Sequence, residues 1–79
     1  MENFVIKQAK PGDILSEYDT IEEKFLGRYV ILEKFHNGFS VYCMYDITQF
    51  FKQGSVIIIG HHEIEKNERY VWTIGQNEV

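Results

Sequence analysis

Short apolar blocks rich in β-branched and aromatic residues recur along this chain between turn signals, a pattern that marks short β-strands. Residues 3–9 (Asn-Phe-Val-Ile-Lys-Gln-Ala) predict a first strand. Lys10-Pro11-Gly12-Asp13 predicts a turn, because Pro presets φ and Gly supplies the position that needs φ > 0. Ile14–Tyr18 then reads as extended. The stretch from Asp19 to Gly27 fits two structures. Thr20 with Glu23 three residues on has the spacing of a capping box, and Gly27 could end a short helix over residues 20–26; an irregular loop fits equally.

Residues 28–35 and 39–45 are the strongest strands, and Asn37-Gly38 between them is a hairpin signal for a type I′ turn. A two-residue Asn37-Gly38 turn sets Lys34 opposite Val41, Leu32 opposite Cys43 and Val30 opposite Tyr45. Val30, Leu32, Val41 and Cys43 then form the expected core face. The second face still carries Tyr29, Ile31, Phe35, Tyr42 and Met44, so this hairpin is apolar on both sides, where a half-buried sheet normally has a polar outer face. Asp46-Ile47-Thr48-Gln49 has a second capping-box spacing and predicts a short helix at 47–52, stopped by Gly54. Residues 55–64 open as a β-branched run that predicts a strand buried on both sides. Glu65 to Glu68 reads as a polar turn. Arg69–Ile74 reads as a closing strand with Tyr70, Trp72 and Ile74 on one face, and residues 75–79 are expected to fray.

Five or six short strands in 79 residues predict a mainly β fold, a small barrel or bent sheet with one or two short helical turns. Closure would remove the open edges that so small a sheet otherwise exposes. One domain spanning 1–79 is expected, with an ordered core from about residue 3 to 75. Lys10-Pro11-Gly12-Asp13-Ile14-Leu15 resembles the Gly-Asp-hydrophobic turn that enters a strand in many SH3-like barrels. The order of loop, Asn-Gly hairpin, helical turn and last strands is similar to theirs over most of the chain. The resemblance implies an SH3-like five- to six-stranded barrel. It implies no proline-rich-peptide groove, because the Trp pair and the Pro-Ser-Asn-Tyr turn of eukaryotic SH3 domains are missing. The Arg-rich RNA face of the MazF-like toxin barrels is missing too, so no catalytic residue is carried over.

Composition narrows the function. Eight Lys+Arg against twelve Asp+Glu give a formal charge of −4, which disfavours nucleic acid and suits a partner with a basic surface. A single cysteine, Cys43, allows no intramolecular disulfide and suits a reducing cytoplasm. No apolar run approaches the ~20 residues of a spanning helix, and residues 1–20 hold no apolar signal-peptide core. Cys43 sits mid-strand on the expected core face, where cysteine behaves as a small hydrophobe rather than a nucleophile. His61, Glu63 and Glu65 would share one face of a strand and form a weak candidate for a divalent metal; no established metal motif is present and no cofactor is expected.

Tyr29, Phe35, Tyr42 and Met44, with Tyr18 beside them, are the candidate apolar anchors for a partner, since aromatic residues and Met are enriched at interfaces. Glu17, Asp19, Glu22 and Glu23 are the candidate acidic rim that would speed encounter with a basic partner. The expected function is a non-catalytic, cytoplasmic protein-interaction module, of the kind that small bacterial or phage accessory regulators and inhibitors represent. A homodimer through the aromatic face is a second form of the same expectation. Two alternatives stand beside it. One is a single-strand nucleic-acid binder using the aromatic face flanked by Lys7, Lys10, Arg28, Lys34 and Lys52. The other is a small metal-dependent enzyme centred on His61, Glu63 and Glu65.

Overall fold

A computed structural model describes residues 4–65 and 68–75. Its elements are α1 (Phe4–Gln8), β1 (Ile14–Asp19), β2 (Lys24–Lys34), β3 (Gly38–Asp46), β4 (Val56–Gly60), α2 (His61–Glu65) and β5 (Tyr70–Gly75). The fold is mainly β. The five strands form one antiparallel sheet in the order β4-β3-β2-β1-β5. Successive strands are neighbours except for the last, which crosses back to pair with β1. A sheet connected in this way around one apolar core is compatible with a small barrel-like fold, but β4 and β5 do not pair, so the expected closure of the edges is absent among the described residues. The core joins Leu15, Tyr29, Ile31, Phe39, Val41, Cys43, Ile59 and Trp72 from the strands to Val5, Ile6 and Ala9 of the N-terminal segment and Ile64 of α2.

The turn at 10–13 forms as expected. Gly12 takes φ +94°, and the Asp13 amide donates to the Lys10 carbonyl at 3.0 Å. Four other local expectations are corrected. Residues 4–8 are helical, not extended, so that Val5 and Ile6 reach the core together. Of the helix and the irregular loop that fit residues 20–26, the helix is excluded: residues 20–23 are a turn and 24–26 already belong to β2. Asp19, not Thr20, accepts the free amides, from Ile21 at 2.9 Å and Glu22 at 3.2 Å. Thr20 instead ties the turn to the other end of the chain, donating through N–H and Oγ1 to the Arg69 carbonyl, each at 2.8 Å. Residues 47–52 form no helix. The Asp46 carboxylate folds the segment into an Asx turn by accepting from the Thr48 amide at 2.8 Å. The strand beginning at Val56 ends at Gly60 and gives way to α2, and it is an edge strand, not one buried on both sides. The closing strand has the expected face, with Trp72 buried and Tyr70 and Ile74 half-buried. Most of the expected polar turn after Glu65 and the tail after Gly75 lie outside the described residues.

The central hairpin is present, but its register differs. The turn is centred on His36-Asn37, and the Phe35 amide donates to the Gly38 carbonyl at 2.8 Å. Neither Asn37 nor Gly38 has a positive φ. Gly38 belongs to β3, opposite Gly60 of β4. A Cβ on Gly38 would lie 2.7 Å from the Ile59 carbonyl oxygen, so glycine is required there by a close approach of backbone. Beyond an irregularity between Ile31 and Glu33, which adds one residue to the second strand, Ile31 faces Val41 and Tyr29 faces Cys43, up to a further irregularity between Arg28 and Tyr29. The inward face of the second strand is thereby inverted relative to expectation. Tyr29 and Ile31 are each 1% exposed, whereas Leu32 is exposed and Val30 half-buried.

Candidate functional site

The concave side of the sheet opens into a cleft of about 470 Å³. Alternation along β1 decides its floor. Leu15 points into the core, so Glu17, two residues on, points the same way. Glu17 lies opposite Trp72 of β5 on one side and Gly27 of β2 on the other. The missing side chain at Gly27 leaves room for the Tyr29 phenol, since a Cβ there would meet Tyr29 Oη at 2.5 Å. Tyr29 packs on Trp72 (centroids 5.7 Å apart) and edge-on to Phe51 (6.4 Å). Phe50, Tyr70, Asp46 and Glu63 contribute further walls.

All three charged residues of this lining (Glu17, Asp46 and Glu63) are carboxylates. Two of them are engaged. Asp46 accepts from Tyr29 Oη at 3.3 Å and from the Phe51 amide at 3.2 Å through one oxygen, and from Thr48 through the other. Glu63 accepts from the Gly60 amide at 2.8 Å. Glu17 accepts no hydrogen bond from any described residue. Burial, and then the negative charges of Asp46, Glu63 and Asp19, push its pKa above the ordinary 4.5. Burial and the same negative field from Asp46 and Glu17 hold the Tyr29 phenol protonated well above its ordinary pKa. The arrangement is a half-enclosed aromatic pocket with excess negative potential and one carboxylate without a donor among the described residues. A positively charged group satisfies both conditions, through the carboxylate and through the faces of the rings.

The expected site residues scatter. Tyr29 leaves the anchor set, because it is a core residue only 1% exposed, although it lines the cleft. Phe35 and Tyr42 are exposed and Met44 and Tyr18 half-buried, with Tyr42 on the outer face of the sheet. The acidic rim divides as well. Glu17 turns into the cleft. Asp19 is buried and bound by Arg69, whose Nε and Nη2 donate to it at 3.2 and 3.1 Å; these hydrogen bonds lower its pKa below the usual 3.8. Glu22 pairs at the surface with Lys24 at 3.1 Å, and Glu23 is exposed in the turn with φ 55°. Phe50, Phe51, Tyr70, Trp72, Asp46 and Glu63 were not among the expected site residues. The one available signal was Trp72 sharing a face with Tyr70.

His61, Glu63 and Glu65 lie on a helical turn, not a strand, so alternate residues do not share a face. Among the described residues no three His, Cys, Asp or Glu side chains are grouped to hold a metal ion. His61 instead packs its ring 5.0 Å from Phe39, with burial holding its pKa below 6.5 and Nε2 accepting or donating no hydrogen bond among the described residues. The buried Cys43 thiol is pushed up in pKa by burial and by Asp46, and its Sγ lies 3.8 Å from the Phe51 carbonyl. None of Lys7, Lys10, Arg28, Lys34 and Lys52 lines the cleft. Among the described residues no helix is long and apolar enough to cross a membrane. No protein-family model, curated protein or solved structure matches this chain.

Proposed function

We propose that this chain is a non-catalytic protein-interaction module with an SH3-like barrel, and that its concave cleft receives a lysine or arginine side chain from a partner protein. The strand order, with β1 between β2 and β5 and a short helical turn before the last strand, supports the barrel assignment. The Glu17 carboxylate carries the functional reading. It faces Trp72 across the cleft floor, lacks a donor among the described residues, and is crowded by carboxylates. An incoming ammonium or guanidinium supplies the missing donor and relieves that crowding. Trp72 and Phe50 line the cleft beside it and offer aromatic surface for its aliphatic stem and charge, while the ring of Tyr70 already carries the Arg69 guanidinium 5.1 Å from its centroid. The net charge of −4 draws a basic partner toward this surface before contact.

Trp72 is the only tryptophan, so its fluorescence reports from the cleft itself. Titration with Lys- and Arg-centred peptides is expected to change that emission saturably in the wild type. The change is lost in Glu17→Gln and retained in Glu23→Gln, which alters a surface acid. Equal losses in both variants, or no saturable change with any basic peptide, would overturn the proposal.

A further inference from the structure

Strand β4 ends the sheet on the side away from β5, and two hydrogen bonds fix which of its residues face β3. The Cys43 amide donates to the Ser55 carbonyl at 2.9 Å, and the His61 amide to the Asn37 carbonyl at 2.8 Å. Alternation between these two points makes Ile57–Val41 and Ile59–Phe39 the hydrogen-bonded pairs. Val56–Tyr42 and Ile58–Ser40 are then the intervening pairs, so the N–H and C=O groups of Val56 and Ile58 turn outward, away from β3. Among the described residues no strand pairs with that side. Gly60 shares the outward parity, but its amide is occupied by Glu63 Oε2.

Sheet edges are normally guarded by lysine, proline, a bulge or a short length. Residues 55–60 (Ser-Val-Ile-Ile-Ile-Gly) carry no charge and no proline. Val56 and Ile58 are 62% and 70% exposed. On the outer face they continue an apolar row, because Val56 faces Tyr42 and Tyr42 faces Val30 across the next two strands.

We propose that β4 pairs antiparallel with β4 of a second copy, about a two-fold axis passing through Ile57. This register sets Val56 opposite Ile58 of the second copy and Ile58 opposite its Val56. All the outward N–H and C=O groups of the two residues are then used, in four hydrogen bonds. A shift of one step toward the C-terminus would need the Gly60 amide, which Glu63 holds. A shift toward the N-terminus would need Gly54, outside the strand. The edge is thus complementary to itself in one register. It is also an uncharged stretch at which two chains of net charge −4 can meet without opposing like charges. The result is a ten-stranded sheet in which the row Val30–Tyr42–Val56 runs on into Ile58 of the second copy, an isologous contact closed by its own symmetry.

Light scattering across a concentration series on the full chain is expected to show the mass rising from 9.4 kDa toward twice that value. Ile58→Lys, at an exposed side chain, should remain at the monomer mass with an unchanged circular-dichroism spectrum. Ile21→Lys, equally exposed but in the turn after β1, should still dimerise. Hydrogen exchange at the Val56 and Ile58 amides should slow as concentration rises. A monomer throughout the series overturns the inference and leaves the edge to a foreign strand. A dimer that survives Ile58→Lys, or whose Val56 and Ile58 amides exchange no more slowly than in the monomer, overturns it too. Glu17→Gln is expected to leave dimerisation intact, which separates this test from that of the cleft.

Discussion

Tyr29 and Tyr42 are both strand tyrosines of the central hairpin, yet the structure gives them opposite roles, and truncating each to alanine separates those roles. Tyr29 is 1% exposed and packs on Trp72, Phe51 and the space above Gly27. Emptying such a site costs about 3–5 kcal/mol, the range for a buried aromatic replaced by alanine. A single core in a chain this small supplies only about 3–5 kcal/mol in total. Tyr29→Ala is therefore expected to lose its cooperative transition altogether. Tyr42 is 43% exposed and has two cross-strand neighbours, Val30 and Val56. Each such pair contributes roughly 0.2–1 kcal/mol, so Tyr42→Ala should cost about 1 kcal/mol. In a domain of this size that lowers Tm by about 4–8 °C while the transition stays cooperative. Thermal and urea melts followed by circular dichroism at a fixed, low protein concentration make the comparison. A third variant, Tyr29→Phe, keeps the ring and removes only the hydroxyl that reaches Asp46, for a loss of about 0.5–1.5 kcal/mol. If Tyr42→Ala abolishes the transition, or Tyr29→Ala melts within a few degrees of wild type, the second strand faces the other way and the cleft described above does not exist.

Other consequences follow from single residues. Because the folded state raises the Glu17 pKa above 4.5, it binds more protons than the unfolded chain between 4.5 and the raised value, and stability falls as pH rises through that window. Glu17→Gln should accordingly raise Tm at neutral pH; a lower Tm would show that the carboxylate is paired after all. His61 has the opposite sign. Its folded pKa lies below 6.5, so stability is lost as pH falls from 6.5 toward the folded value. His61→Phe should flatten that part of a Tm-against-pH curve, and an unchanged slope would remove His61 from the acid response. Gly38→Ala, whose Cβ would crowd the Ile59 carbonyl oxygen, should cost about 1–3 kcal/mol in urea melts. A neutral result there would contradict the close approach of β3 and β4.

The five strands were legible from their apolar blocks, with a period of two visible in β3 and β5, and the turn at Gly12 follows directly from Pro11-Gly12 chemistry. The register of the hairpin was not. Asn37-Gly38 carries the local preference of a type I′ turn, but Gly38 is claimed by Gly60 across the next strand, which moves the pairing by two residues, and the irregularity between Ile31 and Glu33 adds the odd step that puts Tyr29 and Ile31, rather than Val30 and Leu32, in the core. Phe4–Gln8 was misread for a similar reason. An apolar triplet of this length has no decisive period, and docking onto the core selects the helix. Of the two capping-box spacings, the one at Asp46 marks a residue that caps a turn rather than a helix, whereas at Thr20 the capping role falls to the preceding residue, Asp19. The cleft was legible only in part. Glu17 had been grouped with its acidic neighbours by sequence proximity, and its separation from Glu22 and Glu23 depends on strand parity and on the empty face of Gly27. The pairing of Glu17 with Trp72 joins residues from opposite ends of the chain, which no local pattern records.

The central claim is that a half-buried Glu17, without a hydrogen-bond donor among the described residues, receives a basic side chain. Carbon-detected NMR titration of the Glu17 carboxyl, with and without saturating Nα-acetyl-lysine methylamide, tests it most directly. The account predicts a pKa above 4.5 in the free protein that falls when the amine binds, with accompanying shifts at Trp72 and Tyr70. A Glu17 carboxyl that titrates at or below 4.5 when free, or one whose pKa the amine leaves unchanged, would contradict it.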